Sequence, residues 1–205
     1  MVELGEPIFV LAIHPRSGTN LLSHLLSQHP LVEQSPVPED YIARRANLLA
    51  DYADGLMQGW EKWQLQNDDY TADRLLARFG QTLLGFIGQP GSDRHMLLKT
   101  PALLDLPNLQ RLFPAGQMLI LLRDPRSIAE SWLQSGFDKT ASLENVGYSW
   151  VRRMRALENW LVPENATLDR NRIRFVRFEE LARDPAGEYA RILDSLCLPR
   201  DPVAT

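Results

Sequence analysis

Residues Ile8 to Asn20, IFVLAIHPRSGTN, restrict this chain more than any other stretch. Six apolar residues, Ile8 to Ile13, run without a polar break, are rich in strand formers and stop abruptly at a cluster of Pro, Arg, Ser, Gly and Thr. Such a run suits a strand buried on both faces of a parallel sheet. Beyond the cluster, Leu21, Leu22, Leu25 and Leu26 recur at helical spacing, with Ser23, His24, Ser27 and Gln28 between them. The chain is therefore committed to a strand, a tight loop from His14 to Gly18 and a helix start. A loop of that kind aims several backbone N–H groups and the positive end of a helix dipole at one point, which suits a phosphate. Arg16 adds a fixed cation, Ser17, Thr19 and Asn20 add side-chain hydrogen bonds, and Gly18 lets the backbone approach the anion. A βα turn with no ligand is the alternative that this segment leaves open.

The rest of the chain repeats the alternation. His29-Pro30 and QSPVP (Gln34 to Pro38) break the first helix, and Glu39-Asp40 are placed to open a second that runs to about Met57. GWEKWQLQNDD, from Gly59 to Asp69, reads as a polar loop or lid, and Thr71 to Ile87 as an amphipathic helix with Thr71 as its cap. Gln89 to Arg94 is a turn. Met96 to Leu98 forms a short strand ending at Lys99, followed by a helix over 105–113 and a second buried strand, Met118 to Leu122. A helix starts at Arg123-Asp124-Pro125-Arg126, a longer one covers 142–161, Ile173 to Phe178 alternates as a strand, and two short helices near 179–182 and 186–196 close the sequence. Strands alternating with helices give an α/β fold, a three-layer parallel sheet flanked by helices. Repeats, low-complexity segments and boundary signals are lacking, so a single domain over residues 1–205 is expected.

Composition narrows the function classes. One cysteine, Cys197, excludes an internal disulfide and a cysteine-based metal site, and fits a reducing compartment. The net charge of −4 and isoelectric point near 5.6 argue against nucleic acid as the main partner, so any polyanion site must be local. The N-terminus lacks the basic region and cleavage pattern of a signal peptide, and its apolar run is far shorter than the roughly 20 residues that span a bilayer. A cytoplasmic protein with no membrane span is the expectation.

In an open parallel sheet, ligands bind beyond the carboxyl ends of the strands. Three expected strands end in cationic clusters: Pro15-Arg16-Ser17-Gly18-Thr19, Lys99-Thr100-Pro101 and Arg123-Asp124-Pro125-Arg126-Ser127. Arg16, Lys99 and Arg123 would converge on one rim, which calls for a substrate with several anionic groups. Ser131 lies eight residues after Arg123, about two turns into the following helix, so a guanidinium and a hydroxyl can face one terminal phosphate. The alternative is a capped helix in which Arg123 pairs with Asp124 or Glu130.

These segments resemble known motifs. PRSGTNLL resembles the 5′-phosphosulfate loop of sulfotransferases, and LLRDPRSIAESW resembles their 3′-phosphate motif, with Arg and Ser at the same spacing. LLKTP resembles the family's strand ending in Lys, and FVRFEELARDP its late (Y/F)E(D/E)L segment, so the resemblance runs from residue 7 to about 199. It implies a P-loop NTPase-like sulfotransferase fold and the donor 3′-phosphoadenosine 5′-phosphosulfate (PAPS), with the bisphosphate PAP as product and no metal. The acceptor is then a hydroxyl or amine on a small molecule, sugar or lipid. Residue by residue, Arg16 takes the place of the loop cation at the leaving group, and Ser17, Gly18, Thr19 and Asn20 bind the 5′-phosphate. Lys99 neutralises charge on the moving sulfuryl group, and Arg123 and Ser131 hold the 3′-phosphate. In-line transfer depends on positioning and on stabilised charge, which fixed cations and a helix N-terminus supply.

Three groups compete for the role of general base. Cytosolic small-molecule sulfotransferases carry a His where this chain has Pro101, whereas carbohydrate and protein-tyrosine members, which this chain resembles more, use a Glu soon after the first helix. Glu39 is the nearest equivalent, Asp40 the next, and His95 a fallback; a carboxylate there accepts a proton if partial burial raises its pKa. Trp60 and Trp63 are candidates for an acceptor lid or adenine stacking, against the commoner role of aromatic rings in a core. Arg152, Arg153 and Arg155 read as a solvated helix face or, alternatively, as contacts to an anionic acceptor or the 3′-phosphate. His24 and His29 are expected on a helix surface, and His14, in the phosphate loop, as a structural residue or a phosphate contact. Many family members add a basic, glycine-containing C-terminal segment over the 3′-phosphate, and this sequence stops at Thr205, so either the subfamily closes the site differently or the sequence is incomplete. A P-loop kinase lacks support because no G-x-x-x-x-G-K-[ST] is present. A non-catalytic nucleotide-binding protein of the same fold is the other alternative.

Overall fold

A computed structural model describes residues 5–60, 70–88, 94–136, 142–162 and 168–200. Five parallel strands form the central sheet: β1 (Ile8–Ala12), β2 (Val32–Gln34), β3 (His95–Thr100), β4 (Gln117–Leu122) and β5 (Ile173–Arg177), in the order β2-β3-β1-β4-β5. β1 lies in the middle, pairing Val10 with Lys99 on one side and with Leu119 on the other. The chain moves from β1 to one edge and later to the other, which makes the carboxyl end of β1 the topological switch where a crevice opens.

The period of two along β1 divides its side chains between two cores. Phe9, Leu11 and Ile13 face a cluster built with α2 (Ala46–Gly59), α3 (Ala72–Ile87), α4 (Leu106–Leu112) and α6 (Leu143–Leu161). Ile8, Val10 and Ala12 face one built with α1 (Thr19–Leu26), α7 (Phe178–Arg183) and α8 (Pro185–Ser195). A third cluster joins α5 (Pro125–Ser135) to α6 through Ile128, Ala129 and Val146, with Trp132 and Trp150 against it. The three-layer parallel α/β arrangement expected from the alternation is the arrangement observed.

Four local differences have physical reasons. The three-residue strand β2 lies in the segment read as a helix break; so short an edge strand leaves little periodic signal. Glu39 and Asp40 do not open α2: Asp40 Oδ1 accepts from the Ile42 N–H at 2.9 Å and from Thr100 Oγ1 at 2.8 Å. The chain then passes through a left-handed Tyr41 and a 3-10 turn, Ile42–Arg44, before α2 starts at Ala46. β3 extends beyond its apolar run to include His95, Lys99 and Thr100, because each of these polar side chains finds a partner. His29, expected on a surface, is 2% exposed: its Nδ1 accepts from the Leu31 N–H, so its Nε2 donates to the Pro199 carbonyl. Most of the segment read as a lid, 61–69 with Trp63, and most of the turn at 89–93 lie outside the described residues. No helix among the described residues is long and apolar enough to cross a membrane.

Candidate active site

At the end of β1 the backbone turns through two left-handed residues, Arg16 at φ 73° and Gly18 at φ 102°. Gly18 is required twice over: its φ disfavours any side chain, and a Cβ there would lie 2.4 Å from Cδ2 of Phe178. The Ser17 hydroxyl donates to the His14 carbonyl at 2.6 Å and pins the loop from inside. α3, α4, α5, α6 and α8 start on side-chain caps (Thr71, Asp105, Asp124, Ser142 and Asp184), but α1 starts on Gly18 with no side-chain cap. Its first-turn N–H groups and dipole therefore face the crevice.

β4 delivers the second cation. Arg123 Nη1 donates to the Arg16 carbonyl at 2.7 Å, and its guanidinium lies 4.1 Å over the Phe178 ring. Arg123 Nε is buried without a partner. Asp124, the alternative partner, is taken by Arg126: that guanidinium and the Arg126 N–H hold the Asp124 carboxyl at about 2. The Asp124 N–H in turn donates to Glu179 at 2.8 Å, joining this corner to the FEEL segment. Arg16 Nε donates to Ser131 Oγ at 3.1 Å, so Arg16 reaches toward the Arg123 and Ser131 corner. Ser131 accepts that bond, and its own O–H has no acceptor among the described residues.

β3 supplies the third. Lys99 is 9% exposed and donates to Asn20 Oδ1 at 2.5 Å, with Glu39 Oε1 3.6 Å from its ammonium. Glu39 Oε2 accepts from the Tyr41 hydroxyl at 2.7 Å, and that bond to the carboxylate raises the phenol's pKa. Arg16, Gly18, Thr19, Asn20, Glu39, Tyr41, Arg123, Ser131 and Phe178 line one cleft of about 580 Å³, with Pro15, Leu21, Pro101 and Trp132 completing its walls. Lys99 reaches the cleft through Asn20 and Glu39.

Of the residues expected to share a site, these converge and others do not. Ser17 is fully buried, with its hydroxyl turned into the loop, so it does not line the cleft. Asp40 does not line the cleft: its Oδ1 accepts from Thr100 and Ile42, and its Oδ2 is buried with no partner among the described residues. His95 lies four residues before Lys99 on β3, about 13 Å away at strand rise, and its Nδ1 bonds the Glu6 carbonyl. Trp60 lies outside this cleft, edge-on to Tyr70 at 6.1 Å beside a separate apolar hollow. The sequence reading missed Tyr41, Phe178 and Trp132 as lining residues; Phe178 was visible inside the FEEL segment, but nothing in the chain marks Tyr41 apart from its neighbour Glu39.

A parallel sheet with a glycine-turned loop at the end of its central strand and a second cationic corner on the neighbouring strand defines a P-loop-like α/β protein. Residues 7–202 match the model of the sulfotransferase family, and the chain belongs to that family. Nodulation protein NoeE of Sinorhizobium fredii (strain NBRC 101917 / NGR234) is 32% identical over 129 residues, a match covering 60% of this chain and 30% of that protein's length. A sulfotransferase domain from the curacin biosynthetic pathway superposes with a TM-score of 0.62 at 21% identity, over 98% of this chain and 76% of its own. Mouse sulfotransferase SULT7A1, solved with PAP, gives 0.53 at 14% identity, over 97% of this chain and 60% of its own. At these identities the structures share the fold with this chain.

Proposed function

We propose that this chain, as one sulfotransferase domain, transfers the sulfuryl group of PAPS to a hydroxyl or amine of an acceptor. The observation that carries this is the convergence of the uncapped α1 N-terminus with Arg16, Arg123 and Ser131 in one cleft. The group fits the residues present: Gly18 leaves no side chain between the loop backbone and an anion, and the unpartnered Arg123 Nε needs an acceptor. PAP in the mouse relative supports the same donor here.

When bound, PAPS supplies a sulfuryl group on a phosphosulfate anhydride. The α1 N–H groups, Thr19 and Asn20 bind the 5′-phosphate, and Arg123 and Ser131 bind the 3′-phosphate. Arg16 stands between the two corners and stabilises negative charge at the leaving phosphate, and Lys99 adds a second cation on the Glu39 side. Glu39 accepts the proton of the attacking hydroxyl or amine, as the acceptor atom forms its bond to sulfur and the bond to the leaving oxygen breaks. Lys99 and Tyr41 hold the Glu39 carboxylate by its two oxygens, which fixes it for that role.

Calorimetric titration with PAP is the test. The native chain is expected to bind PAP, and Arg123→Ala to bind about 10–100-fold more weakly, the loss of a charge-assisted pair with a phosphate. No binding, or equal binding by both proteins, overturns the donor assignment. Transfer from labelled PAPS, lost in Glu39→Gln while PAP binding persists, tests the base.

A further inference from the structure

A second basic cluster stands next to this cleft and is not used by the chemistry above. Arg153, on α6, is half-buried; its Nη1 donates to the Ile13 carbonyl at 3.0 Å, and its Nε is buried with no partner among the described residues. With Nη1 committed, the remaining Nε and Nη2 edge is the fork that fits a carboxylate, sulfate or phosphate side-on. Among the described residues no carboxylate lies within ion-pair distance of Arg153. Burial lowers its pKa, and the like charges of Arg152 and Arg44 add to that effect. Arg152 and Arg44 are exposed to water, so what asks for an anion is the buried Arg153 edge itself, which no described carboxylate meets.

The surroundings fit that role. Arg153 lines a hollow of about 230 Å³ with His14, Pro15, Trp132, Asn145 and Ser149. Asn145, Ser149 and Arg153 are spaced i, i+4, i+8, so an amide, a hydroxyl and a guanidinium form one stripe of donors along α6. Pro15 and Trp132 line both this hollow and the main cleft, so the two spaces share a wall. Arg44, three residues beyond Tyr41, acts electrostatically on both the Tyr41 phenol and Arg153.

We propose that this hollow is an anion subsite for the acceptor: it receives a carboxylate, sulfate or phosphate that the acceptor carries apart from the hydroxyl or amine to be sulfated. The inference rests on the sulfotransferase reading, and selects acidic acceptors within it.

The test reads Arg153 directly. In protein labelled with 15N arginine, the Nε–Hε resonance that disappears in Arg153→Gln identifies Arg153. Sodium sulfate is then titrated at constant ionic strength, with and without saturating PAP. The signal is expected to move saturably under both conditions. Ser149→Asp, which sets a carboxylate one helical turn from Arg153 and leaves the guanidinium intact, is expected to abolish the movement; this variant serves also if Arg153→Gln fails to fold. A signal that does not saturate, or whose response vanishes once PAP is bound, overturns the proposal, the latter by returning Arg153 to the donor site. PAP binding is followed by calorimetry on the same samples, so failure of the donor assignment shows there and not in the sulfate titration. Transfer from labelled PAPS to hydroxycarboxylic acids and to their methyl esters separates an acceptor-borne group from a free anion. Acids are expected to exceed their esters about tenfold in kcat/KM, with the ratio collapsing in Ser149→Asp. A panel in which no acid is sulfated faster than its ester overturns the acceptor role.

Discussion

Tyr41 sits at φ 51°, a left-handed conformation that costs a side-chain-bearing residue on the order of 1 kcal/mol. The return on that strain is geometric: it turns the phenol back onto the carboxylate two residues earlier, where O–H meets Oε2 at 2.7 Å. Tyr41→Phe removes a hydrogen bond to a charged group and leaves the ring. With Glu39 as base, kcat is expected to fall about tenfold with PAP affinity unchanged, because only the orientation of the carboxylate is lost. Steady-state kinetics beside calorimetry check this; a fall in PAP affinity would place Tyr41 with the donor instead. His14 gives a pH dependence of known sign. Burial lowers its pKa below the ordinary 6.5, with the Arg153 charge adding to the effect against the bond to Pro15. Above 6.5 the imidazole is neutral both folded and unfolded, so it contributes nothing to pH dependence there. As pH falls below that value the unfolded chain takes up a proton that the folded one resists, and stability declines until the lower folded value is reached. The melting temperature is expected to drop from about pH 6.5 downward, and His14→Gln to flatten that limb.

At the scale of elements, α3 and α4 meet at a point with no spare room. A Cβ on Gly80 would lie 2.0 Å from the Leu112 carbonyl oxygen, a backbone atom that cannot swing aside. Alanine's helix preference of about 1 kcal/mol favours Gly80→Ala, but the clash pushes α3 off α4. The clash is expected to win by about 2 kcal/mol, seen as a fall of about 4–8 °C in melting temperature. An unchanged or higher value would mean that the two helices separate at no cost. Such contacts were invisible in the sequence, since nothing in ARFGQTL says what faces Gly80. What was legible followed from strong periodicity: β1, and β4 after its opening Gln117, are apolar runs between polar clusters, and α3 starts on the Thr71 cap that its sequence signals. Boundaries failed where side chains reach across the sheet. Asp40 reads locally as a helix opener, and only its bond to Thr100 on β3, 60 residues away, shows why the helix waits until Ala46.

Across the whole molecule, the site was legible because each strand end carries its own chemistry and the topology gathers the ends. Arg16 and Arg123 are 107 residues apart in sequence, yet β1 and β4 are neighbours, and one guanidinium bonds the other's carbonyl. The contact of Arg16 with Ser131, the turning inward of Ser17 and the half-buried Arg153 were not legible, because each depends on how a loop or helix rotates about its axis. Around the cleft the β1 loop, α5 and, through Glu179 and Phe178, α7 are already joined into one body by these contacts. A ligand with phosphates at both ends should stabilise that body more than one with a single phosphate. PAP at about 100 times its Kd adds about 2.7 kcal/mol to folding, a rise of about 5–10 °C for a chain of this size. On the proposed binding mode, adenosine 5′-phosphate at the same concentration would meet the α1 corner alone. Losing the Arg123 and Ser131 contacts costs it 10-fold or more in affinity, about 1.4 kcal/mol or more. Thermal melts are expected to rank PAP well above adenosine 5′-phosphate in the native chain, with the difference shrinking in Arg123→Ala. Equal shifts by the two nucleotides would mean that the cleft reads one phosphate, and that the corner at Arg123 and Ser131 serves the loop rather than the ligand.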